Sequence, residues 1–234
     1  MNSQEKISGE VIYGVSSKNY SKEIEPPSII DEPKLYGTDD DFFDRKIILE
    51  FNENTSISYK MKGYGEDDHQ WAEYKDASLE ISGTSYVDLK TNTYLSDKIL
   101  SKENFLIIED IDTIKWDITE EKKMILGYSC KKATQKVNIT SFSGKNSFIV
   151  IYTVWYTPEI SVPFGPFRQF NLPGLVLEVE KKGGHTDFSY IAEEINIGTT
   201  KKEIIFPDIN KAISLEEYNK ITRKMLNDIL RIKK

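Results

Sequence analysis

"SFIVIYTVWYTPEISVPFGPFRQFNLPGLVLEVE", residues 147–180, decides how this chain is read. Its opening run (147–157) and its close (175–180) are rich in Ile, Val, Thr, Tyr and Trp, the side chains that pack well on a pleated surface. Between them Pro158, Pro163, Pro166 and Pro173 cannot donate to a β-ladder. Gly165-Pro166 and Pro173-Gly174 are turn dipeptides. The pattern predicts two strands joined by a connection at a sheet edge or outside the sheet, with Leu172 and Leu175 anchoring its second turn. Phe164, Phe167 and Phe170 recur every third residue around Arg168. Burying a Phe side chain stabilises by about 1.5–3 kcal/mol, so these rings either cap one end of the core or line a binding site for a ligand or partner.

Outward from this stretch, strand signals recur at short intervals. "SGEVIYGVSS" (8–17) alternates, and "KIILEFNENTSISYKMKG" (46–63) reads as a hairpin around Asn52-Glu53-Asn54. "SYVDLKTNTYLSDKIL" (85–100) alternates again, and "ENFLIIEDI" (103–111) reads as a buried strand. Residues 113–137 hold two more strands around an acidic-basic turn at Glu120 to Lys123, and 185–198 completes the series. Short strands with turns between them favour an antiparallel sheet over βαβ units. "SLEEYNKITRKMLNDILRIKK" (214–234) differs: Ser214 with Glu217 is a capping box, and Tyr218, Ile221, Met225, Ile229 and Ile232 form one helical face. The expected fold is therefore a single mainly β domain over 1–234, a curved antiparallel sheet or half-barrel with a C-terminal helix. Residues 1–7 are expected to be disordered, and the Pro-rich acidic stretch 18–44 to form a loop or lid without packed anchors.

Composition narrows function. Net charge is −7 and no Arg-rich stripe is interleaved with aromatics, which argues against nucleic acid. No apolar run approaches the roughly 20 residues of a membrane span. The single cysteine, Cys130, excludes an internal disulfide and a CxxC pair. It alternates with Tyr128 and Lys132, a strand position with the thiol packed inward, and a Cys130–His185 pair has no support in sequence. Asp67, Asp68, His69 and Glu73 are close in sequence, but a solvated acidic loop explains them better than a metal site without HExxH. Neither a GxSxG elbow nor a phosphate-cradling glycine motif is present. The expectation is a protein with no catalytic residues, no metal and no cofactor.

"NLPGLVLEVE", after "VWYTPEISVPFGPF", resembles the signature of the GLPGLI family of the Gram-negative envelope, and "IKWDITEEKKMILGYSCKKA" (114–133) is similar to that family's upstream block. The matching positions are Trp116, Gly127, Tyr128, Cys130, Lys132, Ala133, Trp155, Tyr156, Thr157, Pro158, Glu159, Ile160, Pro163, Gly165, Pro166, Leu172, Pro173, Gly174 and Leu175. Asn171 stands where the motif has its first Gly, and Val176 where it has its final Ile. Asn tolerates a left-handed backbone, which would keep the turn. The resemblance implies a non-enzymatic protein of the periplasm or outer membrane, with an export signal removed ahead of "MNSQEKISGEV". The family carries no established activity; the expected function is binding or carrying an apolar small molecule or contacting an outer-membrane protein, the alternatives being a purely structural accessory module or an envelope hydrolase.

Overall fold

The computed structural model describes residues 7–17, 46–61, 83–100, 103–140, 147–183, 187–198 and 203–232. The 18–44 segment, the Asp67–Glu73 cluster and His185 lie outside these residues. Among the described residues twelve strands form one open sheet: β1 (Ser8–Ser17), β2 (Lys46–Phe51), β3 (Thr55–Lys60), β4 (Ser85–Asp88), β5 (Thr93–Leu100), β6 (Glu103–Asp110), β7 (Asp117–Ile125), β8 (Tyr128–Thr140), β9 (Ser147–Thr157), β10 (Leu175–Lys182), β11 (Phe188–Gly198) and β12 (Ala212–Ser214). Their order is β12-β6-β5-β4-β3-β2-β1-β11-β10-β9-β8-β7. Every pairing is antiparallel except β12 on β6, where Ile213 lies opposite Ile107 in parallel register. A mainly β, antiparallel fold with one C-terminal helix is what the strand periodicity had called for.

Alternation carries this architecture. In β1 Val11, Tyr13 and Val15 face the core, and in β2 Ile47, Leu49 and Phe51 do so, all buried. The β2–β3 hairpin turns where expected, with Asn52 Oδ1 accepting from the Asn54 and Thr55 amides at 3.0 Å. Between β7 and β8 the sequence reading misplaces the turn. Glu120 to Lys123 lie inside β7, at an irregularity between Ile118 and Lys122, and the chain reverses at Leu126-Gly127. Both residues have positive φ, 49° and 85°, as the twist of a tight hairpin requires. Strand β6 is also less buried than its apolar run suggests, with only Ile107 fully enclosed.

The helix α1 (Leu215–Ile232) begins at the anticipated cap, the Ser214 hydroxyl accepting from the Glu217 amide at 3.1 Å. It lies against β6 and β12, the Tyr218 ring meeting Phe105 edge-on at 5.6 Å. Among the described residues no helix is long and apolar enough to cross a membrane.

The connection from Pro158 to Gly174 joins neighbouring strands β9 and β10, so it does not sit at a sheet edge. It stands outside the ladder, as its prolines demand, but inside the core. Phe164, Phe170, Leu172, Ile160 and Val162 are all buried. Its contacts also show that the sheet curls. The Phe167 ring meets Tyr190 of β11 at 6.3 Å, while the next residue, Arg168, pairs with Glu109 of β6. Six strand steps separate β6 from β11. At about 4.8 Å per step a flat sheet would hold them roughly 29 Å apart, far beyond what two adjacent residues can bridge.

Candidate functional site

The connection folds on itself before it meets the sheet. Gln169 N–H donates to the Pro166 carbonyl (3.2 Å), Asn171 N–H to Pro163 (3.0 Å) and Val176 N–H to Phe164 (2.9 Å). Two of its residues are left-handed, Phe167 at φ 55° and Asn171 at φ 67°. Asn171 thus meets the requirement that glycine would meet in the motif, and its side-chain amide donates to the Ile114 carbonyl at 3.1 Å. Phe167 is the unusual one, since a bulky side chain in this region costs of order 1–3 kcal/mol and persists only where its surroundings enforce it. The enforcing contact is the Phe167 N–H, which donates to the Ser58 hydroxyl of β3 at 2.7 Å.

Ser58 opens a polar chain across the sheet's inner face. Its hydroxyl lies 2.7 Å from that of Ser85 on β4. The buried Tyr94 hydroxyl hydrogen-bonds Ser85 and Ser96, and burial, the largest cause, raises its pKa far above the usual phenol value. Ser56, Ser58, Ser85 and Ser96 are all at least nine-tenths buried, so the inner face of β3 to β5 is lined by small hydroxyls where a core would normally be apolar.

These small side chains leave space. A recess of about 70 Å³ lies between Thr84, Ser85, Tyr94, Ser96 and Lys98 on one side and Phe167, Arg168, Gln169 and Tyr190 on the other. That is room for about five waters, or for one edge of a larger molecule. The Arg168 guanidinium lies 5.6 Å from the Tyr94 ring centroid while pairing with Glu109. Gln169 is 4% exposed, and its Oε1 is fully buried without a hydrogen-bond partner. A buried acceptor left unmet costs roughly 1–3 kcal/mol.

Of the residues expected to line a site, Phe167 and Arg168 border this recess, while Phe164 and Phe170 pack elsewhere. Phe164 meets Phe51 at 6.4 Å, and Phe170 meets Tyr94 at 5.2 Å. The sequence reading passed over Gln169 and the serines; the one signal is the alternation of Ser56 and Ser58 in "TSISYK", and nothing local marks Ser85, Ser96 or Gln169.

The Cys130 thiol is out of reach and held protonated. Cys130 is 0% exposed on β8, and burial pushes its thiol up to about 11, with Lys123 opposing and Glu159 and Glu178 adding. Glu178 is held by Lys123 at 2.5 Å, and the Lys123 ammonium also lies over Trp155, 4.4 Å from the ring centroid. Among the described residues no cluster of His, Cys, Asp and Glu has a metal-holding arrangement.

The comparisons with known proteins now bear on this frame. The family model described as "N-glycanase peptide, N-terminal domain", that of PNGase F-II, matches residues 73–219. The chain belongs to this family. The solved structure of PNGF-II in space group P21 aligns with a TM-score of 0.52 at 17% identity, covering 92% of this chain and 33% of that one. The C2 form gives 0.48 at 17% identity, over 89% and 30%. The PNGF-II likeness is one of fold, and the chain spans about a third of the length of those structures. No curated protein sequence matches it.

Membership in the PNGase F-II N-terminal family corrects the GLPGLI reading, together with the envelope apolar-ligand function drawn from it. The matched span contains both blocks that carried the resemblance. Those residues report a turn geometry rather than an envelope family. Trp116 Nε1 donates to the Phe170 carbonyl at 2.9 Å, and Tyr156 is buried. Gly127 makes the hairpin, and a side chain at Gly165 would meet the Gln169 carbonyl at 2.2 Å. At Gly174 it would meet the Thr157 carbonyl at 2.1 Å. Pro163, Pro166 and Pro173 pace the connection, and Leu172 and Leu175 seal it, both buried. The match sets the chain in an enzyme family, at that family's N-terminal domain.

Proposed function

We propose that the chain serves N-glycan processing as a substrate-handling domain, one that holds glycosylated peptide without cleaving it. The observation that carries this reading is the family match over 73–219, to a domain named for N-glycanase and for its N-terminal position. Two features of the molecule support it. The one thiol is buried and held protonated, and Lys123 and Arg168 are engaged in ion pairs with Glu178 and Glu109. The recess sets serine hydroxyls and an amide beside the Phe167 and Tyr190 rings, the mix of hydrogen-bonding groups and apolar surface that a sugar presents in return.

The test is capture by the purified chain of an N-glycosylated peptide against the same peptide stripped of its glycan, followed by mass spectrometry of both. The expected result is preferential retention of the glycosylated form with no oligosaccharide released. Release of glycan would make the chain catalytic, and equal retention of the two peptides would remove glycan recognition.

A further inference from the structure

We propose that the recess beneath the proline-rich connection is a subsite for one neutral sugar residue, read by the side-chain amide of Gln169. The choice of sugar rests on the glycan-handling function proposed above; the existence of a polar site rests on the recess itself. Gln169 borders the recess, is 4% exposed, and has an Oε1 with no partner. Oε1 itself is shut off from open space, and a half-turn about the last torsion, which exchanges Oε1 and Nε2 without moving the backbone, is the motion that would turn the oxygen toward a ligand. An O–H or N–H from a ligand then supplies the bond that Oε1 lacks in the free protein, and satisfying a buried acceptor favours the bound state.

The surroundings select the ligand class. Lys98 and Arg168, the charged residues lining the recess, are both already engaged, Arg168 by Glu109, so neither calls for a charged ligand. A side-chain amide, which can present its oxygen or its N–H, is matched better by a hydroxyl, which both donates and accepts, than by an anion, which only accepts. The Ser85 and Ser96 hydroxyls, though bonded to Tyr94, retain lone pairs for a ligand O–H, and Phe167 and Tyr190 line the recess with apolar surface, which together match a sugar edge of alternating hydroxyl and C–H groups. At about 70 Å³ the recess takes one edge of a single ring, a hydroxymethyl or acetamido group, and not a chain of sugars. The left-handed Phe167, pinned by Ser58, holds Gln169 in place before the ligand arrives.

Saturation-transfer NMR on the whole chain, with N-acetylglucosamine and mannose as probes and glycerol as control, tests this. The wild type is expected to show millimolar binding of at least one sugar and none of glycerol. Gln169→Met keeps the side-chain length and removes the acceptor. It is expected to weaken that binding at least about tenfold, with a melting temperature equal to or above the wild type's, because an unmet polar group has been removed. A merely structural Gln169 would lower the melting temperature instead. Thr84→Phe, at the half-exposed rim, should plug the recess and abolish binding, and it decides the matter if the Gln169 variant fails to fold. No sugar signal from the wild type, or binding that survives either variant, overturns the subsite. Glycopeptide capture that persists in Gln169→Met overturns the subsite alone and leaves the glycan-handling function standing. A wild type that ignores glycopeptide overturns that function.

Discussion

Replacing Phe167 by Ala and by Gly, in parallel with the same pair at Phe170, isolates the strain held in the connection. Both rings are buried, at 6% and 1% exposure, and truncating a buried Phe costs about 3–5 kcal/mol. That loss is common to the Ala and Gly variants at each site. What remains is the difference between Ala and Gly on two different backbones. Phe170 lies in the ordinary region, so Gly there should be less stable than Ala by about 0.5–1 kcal/mol through the flexibility it adds to the unfolded chain. Phe167 lies at φ 55°, where an L-residue pays about 1–2 kcal/mol that Gly does not. The order should therefore reverse at Phe167, with Gly equal to or better than Ala. The double difference between the two sites should equal the left-handed cost, about 1–2 kcal/mol, with the unfolded-state contribution cancelled. Urea unfolding followed by tryptophan fluorescence reads it directly, since the Trp116 indole is bonded to the Phe170 carbonyl inside this connection. A Gly variant less stable than Ala by the same amount at both sites would refute the enforced conformation at Phe167. Losses below about 1 kcal/mol at both positions would refute the placement of these rings in the core.

Gly174→Val should destabilise by at least about 1–3 kcal/mol in thermal melts. The reason is close approach rather than handedness: φ is 158°, near extended, but a β-carbon would stand 2.1 Å from the Thr157 carbonyl oxygen, a backbone atom that cannot swing away. Native Cys130 should resist a thiol reagent at pH 8 on the timescale on which unfolded chain reacts at once, and prompt labelling would contradict its burial. The folded thiol keeps its proton up to about 11 against an ordinary value of 9.0, so its contribution to stability is complete below about 9 and is lost as pH rises through 11. Cys130→Ala should flatten that alkaline loss, worth at most about 3 kcal/mol.

Much of the frame is local and was legible in the residues. Period-two alternation in β1 and β2, the Asn52 turn, the Ser214 cap and the inward Cys130 each depend on neighbours within a few positions, which a sequence displays. The Leu126-Gly127 reversal is also local, but the charge change at Glu120 to Lys123 is a false turn signal, because charges alternate along an exposed strand as readily as they mark a turn. The inner face of β3 was not legible. "TSISYK" alternates, but alternation does not say which half faces in, and a one-residue slip exchanges the two faces. Ile57 and Tyr59 advertise a core, yet the fold buries Ser56 and Ser58, because the connection arriving from more than a hundred residues away needs the Ser58 hydroxyl for the Phe167 amide. The same distance explains Gln169, an ordinary residue in sequence whose unmet oxygen exists only once β4, β5 and β11 have closed around it. Local periodicity and turn chemistry determined the strands, the helix and the shape of the proline-rich tract. Which residues that tract meets was decided by the curl of the sheet, a sum of packing contacts between segments far apart in the chain.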